Sequence, residues 1–233
     1  YEITKTGKRD NSVENDCIHR QKQEGLYYVE YHPAGGDANV EHLLSALDYA
    51  VTLDQVEARI APDQALFFIN LTADEARKIA EITDDSAEND FRRSVSCVGS
   101  TICQIGMQDS NGLLKDIFAH LEEKGIDTRK LPRLHISGCP HSCGTHQIGE
   151  IGFHGAVKLV DKKPTVAFIL VDGGSEHMGS ENFGKMAGNI VATKIPEFLE
   201  ALANILNQSP EPDFGTWRMT HKAEYMELIK AFE

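Results

Sequence analysis

The sequence predicts an α+β protein: a ferredoxin-like (split βαβ) half-domain followed by an α/β domain. Three observations carry this. Residues 26–82 read strand, helix, strand, strand, helix, and a strand pattern at residues 133–137 completes the split βαβ order. Two apolar, β-branched runs then follow at residues 148–160 and 164–171. Four of the five cysteines fall in two close pairs, Cys97 with Cys103 and Cys139 with Cys143, beyond the first group of elements.

Each element has a local reason. Residues 1–24 are polar and charged with little periodicity, and are expected to form a lead-in arm. Leu26-Tyr27-Tyr28-Val29-Glu30-Tyr31 is aromatic and β-branched, a strand. Pro33 to Asp37 breaks it. Val40, Leu43, Leu44, Leu47 and Ala50 recur at helical spacing behind Asn39, a suitable N-cap. Residues 55–60 and 65–71 read as strands around the Pro62-Asp63 turn. Thr72 and Glu75 form a capping-box signature for a second helix. A further helix is expected over about residues 112–124, stopped by Gly125. Asp161-Lys162-Lys163 joins the two apolar runs as a hairpin. Residues 172–188 are glycine-rich and without obvious regular structure, the signature of a binding loop. Pro196 opens a helix at its first turn, and a short amphipathic helix closes the chain from about Ala223. These elements predict an arm (1–24), a half-domain (25–90), a second domain (91–217) and a helical tail (218–233).

Composition sets limits on function. The 233 residues suffice for one large domain or two small ones. The net charge of −13 argues against general nucleic-acid affinity, which needs a basic surface. No apolar run approaches the ~18 residues of a membrane span. No signal peptide is visible, and a reducing, cytoplasmic setting is expected, because five cysteines are too few for a disulfide scaffold. The chain begins at Tyr1, as expected of a processed product or a piece of a longer chain.

The cysteine pairs carry the chemistry. Four thiolates in turn-rich backbone suit a [4Fe–4S] cluster or a structural zinc ion. The three-residue gap between Cys139 and Cys143 fits either; the five-residue gap between Cys97 and Cys103 is wide for zinc. Buried thiols remain a third reading. Gly138, Pro140 and Gly144 shape a tight turn whose N–H groups can face sulfur. Cys17 lies apart and reads as an ordinary thiol.

The segments Ser96-Cys97-Val98-Gly99-Ser100-Thr101-Ile102-Cys103, Leu134-His135-Ile136-Ser137-Gly138-Cys139-Pro140-His141-Ser142-Cys143-Gly144 and Ile148-Gly149-Glu150-Ile151-Gly152-Phe153-His154-Gly155 closely resemble the sirohaem and [4Fe–4S] region of nitrite and sulfite reductases. Gly25-Leu26-Tyr27 and the run Ala58 to Gln64 resemble that family's half-domain, and Asp213-Phe214-Gly215 its ending. The resemblance is to the C-terminal, cysteine-bearing half. It implies that the second domain binds sirohaem and a [4Fe–4S] cluster, that Cys97, Cys103, Cys139 and Cys143 hold the cluster, and that Cys143 also gives its sulfur to the sirohaem iron. Electrons would pass through that thiolate for the six-electron reduction of sulfite or nitrite. The alternative is an iron–sulfur electron-transfer or accessory module without anion reduction; a zinc-stabilised interaction domain is the third.

Because sirohaem is rich in carboxylates, its pocket needs cations and amide donors. Arg59 and Gln64 match the family's half-domain residues; Arg92, Arg93 and Asn182 are further candidates for cofactor contact. Arg59 is also a candidate catalytic residue, and His146 is the proton-donor candidate among His135, His141 and His146. The implied partners are a small inorganic anion, an electron-donor protein or subunit, and a second half-domain or homo-oligomer to complete the site. The sequence departs from the family in carrying one copy of the repeat, in lacking a lysine pair spaced by one residue, and in having Thr145-His146 after Cys143 in place of an arginine.

Overall fold

The computed structural model describes residues 2–233, which divide into two compact units, 2–88 and 89–233. Among the described residues no helix is long and apolar enough to cross a membrane.

The first unit holds β1 (Ile18–Arg20), β2 (Tyr27–Tyr31), α1 (Val40–Ala50), β3 (Glu57–Ile60), β4 (Leu66–Leu71) and α2 (Ala73–Ile82). Its sheet has the order β1-β2-β4-β3, antiparallel throughout. Asn39 caps α1 through the backbone N–H groups of Glu41 and His42. Thr72 and Glu75 form a complete capping box on α2. Tyr27, Val29 and Tyr31 alternate inward on β2 and pack with Phe68, Leu71, Ala46, Ala76 and Ile79.

The α+β class and the split βαβ order hold, but the fourth strand is not the expected one. Residues 133–137 do not join this sheet. Its outer position is taken by β1, from the segment expected to be an unstructured arm. That arm is anchored: Val13 and Ile18 are buried, and the Asp10 backbone N–H donates to the Tyr27 hydroxyl at 2.8 Å.

The second unit contains β5 (Val95–Ser96), α3 (Ser110–Glu123), β6 (Leu134–Ser137), β7 (Ile151–Val160), β8 (Lys163–Asp172), β9 (Lys185–Val191), α4 (Ile195–Gln208), α5 (Phe214–Thr220) and α6 (Lys222–Phe232). Its sheet runs β5-β6-β7-β8-β9; β5, β6 and β7 are parallel neighbours, and the rest antiparallel. All four residues of β6 are buried, as expected of a central parallel strand. α3, α4 and α6 cover the sheet with Leu114, Ile117, Phe198, Leu202 and Ile229, against Ile136, Phe153 and Leu170.

Two boundaries differ from expectation. β9 begins at Lys185, so the irregular part of the glycine-rich segment is residues 173–184. α5 runs through residue 217, and the terminal helix is part of the core: Tyr225 and Ile229 are both fully buried. The β7–β8 hairpin turns at Asp161 (φ 50°) and Lys162 (φ 65°), the left-handed pair that matches the twist of adjoining strands.

Candidate metal-cluster site

The site grows from the carboxyl ends of two adjacent parallel strands. β5 pairs with β6 through Val95–His135 and Ser96–Ile136. Cys97 follows β5 directly, and Gly138-Cys139 follows β6. The ladder extends one step further, with the Cys97 N–H donating to the Ile136 carbonyl at 3.0 Å. The Gly138 N–H then donates to Cys97 Sγ at 3.1 Å. Cys97 Sγ therefore lies against the residue that precedes Cys139.

The loop between Cys97 and α3 folds onto the same place. The Met107 and Gln108 N–H groups both donate to the Gly138 carbonyl, at 3.2 and 2.9 Å. Cys103 is held inside this loop by its N–H to the Gly99 carbonyl, 2.8 Å. Gly138 must be glycine: a Cβ there would lie 2.5 Å from the Gln108 carbonyl oxygen. The second loop contains two non-glycine residues in the left-handed region, Ser142 (φ 61°) and Thr145 (φ 53°). Such conformations cost energy and concentrate at ligand sites. The Gly144 N–H donates to Ser137 Oγ at 3.0 Å, tying this loop to β6.

Around the sulfurs stand groups that the cysteine pattern did not reveal. Ser110, at the start of α3, donates its hydroxyl to the Cys97 carbonyl and lies 3.1 Å from Cys97 Sγ. Ser137 accepts the Gly144 bond and lies 2.9 Å from His146 Nδ1. Both serines are buried, and isolated serines carry no sequence signal. His141 Nδ1 is 3.4 Å from Cys139 Sγ.

The four thiols form no disulfide, and their exposure is graded: Cys139 is buried, Cys97 and Cys103 are half-buried, Cys143 is exposed. Four sulfurs around one zinc ion would stand about 3.8 Å apart, from tetrahedral Zn–S bonds of about 2.3 Å. No three of these thiols lie within 4.8 Å of one another; among the described residues only His42, Asp84 and Asp85 meet that spacing. The spacing of a closed four-sulfur zinc site is therefore not met. Cys143 is the most exposed of the four. Val98, Ile102, Ile105 and Met107 expose apolar side chains from the same loop.

The other candidate residues are more dispersed. Arg59 is in the first unit, on edge strand β3, its side chain 58% exposed and donating from Nε and Nη2 to Glu57 Oε2. Gln64, also in the first unit, has φ 67° and packs against Gly36. Arg92 pairs with Glu122 at 3.4 Å and lies over the Phe118 ring. Arg93 is half-buried in the single 3₁₀ turn before β5. Asn182 donates to the Gly173 carbonyl at 2.8 Å and closes the glycine-rich loop on itself. His146 is buried against His154, ring centroids 4.8 Å apart. Burial first, then the neighbouring histidines, lower its pKa to about 4. The ring is neutral at pH 7.

Two cysteine loops at one end of a parallel strand pair define a candidate metal-cluster domain. The comparisons carry it further. The family "Nitrite and sulphite reductase 4Fe-4S domain" matches residues 87–229, and the chain belongs to this family. A ferredoxin–nitrite reductase of Synechococcus elongatus is 28% identical over 190 residues, 79% of this chain and 37% of that protein. The sulfite reductase [NADPH] hemoprotein beta-component of Bacillus licheniformis is 27% identical over 124 residues, 48% of this chain and 22% of that protein. The chain thus spans well under half the length of these relatives. The solved NirA protein of Mycobacterium tuberculosis shares the fold, with a TM-score of 0.71 at 20% identity over 90% of this chain and 41% of that one. Family membership implies a [4Fe–4S] cluster and sirohaem as cofactors.

Proposed function

We propose that this chain is the cluster-bearing half of a nitrite- or sulfite-reducing enzyme. Cys97, Cys103, Cys139 and Cys143 hold the [4Fe–4S] cluster, and Cys143 also faces the sirohaem iron. The observation that carries the reading is the placement of both cysteine pairs at the carboxyl ends of β5 and β6, with the Gly138 N–H on Cys97 Sγ at 3.1 Å. When bound, the two cofactors supply the electron transfer and the anion-binding metal.

The protein's part is positioning and charge. The Gly138 N–H stabilises the Cys97 thiolate. Ser110 fixes the direction of that side chain. Gly144 and Ser137 hold the loop that presents Cys143 outward. A partner chain or second half-domain would complete the anion pocket, and Arg59 and Gln64 are the half-domain's proposed contribution to it. Arg92, Arg93 and Asn182 are second candidates for cofactor contact. His146 orients the loop through Ser137.

The acid–base surroundings favour a second reading, an electron-transfer or accessory module without anion reduction. A cleft of about 540 Å³ beside the cysteine loop is lined by Asp109, Asp116 and Glu197 together with Ser100, Gln108 and His120. Its carboxylates repel an oxyanion. In this reading the chain passes electrons and a partner binds the substrate.

Anaerobic purification with iron, sulfide and visible-absorption measurements tests both. The reductase reading expects four irons per chain from the cluster, a red-region sirohaem band, and loss of haem–cluster coupling in Cys143→Ser. A colourless protein that retains zinc would overturn both. A cluster without sirohaem affinity would leave only the accessory module.

A further inference from the structure

The first unit carries a ligand set that the reductase reading does not use. His42 lies in the first turn of α1, and Asp84 and Asp85 follow the end of α2. His42 Nδ1 is 3.1 Å from Asp84 Oδ1 and 3.1 Å from Asp85 Oδ1. The ligand atoms of all three residues lie within 4.8 Å of one another, the one such group among the described residues.

Hydrogen bonding alone explains this poorly. A single ring N–H cannot point linearly at two carboxylate oxygens, and two carboxylates drawn to one nitrogen repel each other. A cation among the three removes both difficulties. The two distances of 3.1 Å from His42 Nδ1 match adjacent corners of an octahedron with bonds of about 2.2 Å, the upper end of zinc–carboxylate distances. Asp85 is also oriented from behind: its Oδ2 accepts the Tyr31 hydroxyl at 2.8 Å and the Asn39 N–H at 3.1 Å. Outer hydrogen bonds of this kind commonly fix a ligating carboxylate. His42 and Asp84 side chains are 36% and 72% exposed, so water can fill the remaining positions.

We propose that His42, Asp84 and Asp85 bind one first-row divalent cation, clamping the start of α1 to the exit of α2. One imidazole and two carboxylates favour Mn2+, Fe2+ or Zn2+; Mg2+ and Ca2+ prefer all-oxygen sets. The site is built within the first unit and does not rest on the cysteine reading.

Mn2+ is the probe, because thiols bind it weakly and the cysteine loops stay out of the measurement. The full chain is titrated with Mn2+ in excess Mg2+, and the electron paramagnetic resonance of the free aqueous ion is followed. A single bound Mn2+, displaced by Zn2+, is expected. Asp84→Asn should weaken binding on the order of tenfold or more. His42→Ala should do the same, with circular dichroism checking its fold. Asp84 is largely exposed, so its variant removes a ligand without disturbing packing and decides the matter if His42→Ala misfolds. Equal Mn2+ affinity in wild type and Asp84→Asn overturns the proposal. So does a wild-type chain that sequesters no Mn2+ at millimolar concentration.

Discussion

Gly155→Ala is the sharpest test of how the cysteine loops are supported. Gly155 lies on β7, level with the turn that leaves β6. A Cβ at this position would overlap the Gly138 carbonyl oxygen and lie 2.7 Å from its carbon and 2.9 Å from Gln108 Cγ. Neither neighbour yields easily. Gln108 is tethered by its side-chain amide to the Ala156 carbonyl at 2.7 Å, and the Gly138 carbonyl holds the Met107 and Gln108 N–H groups. To admit the methyl group, the Gly138 peptide must rotate and release those two bonds, at about 1 kcal/mol each. Residual overpacking adds about 1–3 kcal/mol. The sum, about 3–5 kcal/mol, is a large share of the roughly 5–15 kcal/mol stability of an ordinary domain. The same rotation turns the Gly138 N–H away from Cys97 Sγ. Urea unfolding of the apo protein should show the loss in stability. Iron per chain after anaerobic reconstitution should fall with it. A variant within about 1 kcal/mol of wild type that takes up its full complement of iron would refute this account of the support.

Cys97→Ser should abolish iron retention while Cys17→Ser leaves it unchanged, read by iron analysis; equal retention in both would detach Cys97 from the cluster. Arg218 on α5 makes a bidentate pair with Asp172, whose side chain is only 11% exposed. Arg218→Met should therefore cost about 3–5 kcal/mol in denaturant unfolding, as expected when one partner of a buried pair is removed; a loss below about 1 kcal/mol would show the pair to be dispensable. His146 has a pKa of about 4 in the folded chain against 6.5 unfolded. Above pH 6.5 both states are neutral and the residue adds no pH dependence. As pH falls from 6.5 towards 4 only the unfolded chain gains the proton, so stability is lost across that window and levels off below it. His146→Gln should flatten that part of the melting-temperature profile, and an unchanged profile would contradict the burial of the ring.

Local chemistry made much of this molecule legible. Asn39, the Thr72–Glu75 box, Gly125 and the Asp161-Lys162 turn act within a few residues of themselves, and each stands where the sequence places it. The cysteine loops were legible for the same reason, through their spacing and glycines. What escaped depended on distant partners. His146 reads as the proton-donor candidate beside a cysteine turn, and its burial, against β6 and β7, carries no local signal. Ser110 and Ser137 acquire their roles only when the chain brings sulfur and loop backbone to them. β1 is three residues of unremarkable composition, chosen by an open edge on β2.

The misplaced strand shows why the long-range part matters for chemistry. A run of four buried residues, Leu134 to Ser137, was available as a sign of a two-faced, central parallel strand, but His135 and Ser137 disguised it. Had that strand closed the first sheet, as the split βαβ order suggested, Cys139 would have left with it. Cys97, following β5, would then have faced no second pair. Parallel pairing of β5 with β6 sends both chains out at the same edge, and antiparallel pairing would have sent them to opposite ends. The departure from the expected topology is thus the feature that lets one end of a sheet carry both cysteine loops, and β1 is what the first unit uses to close its own sheet without β6.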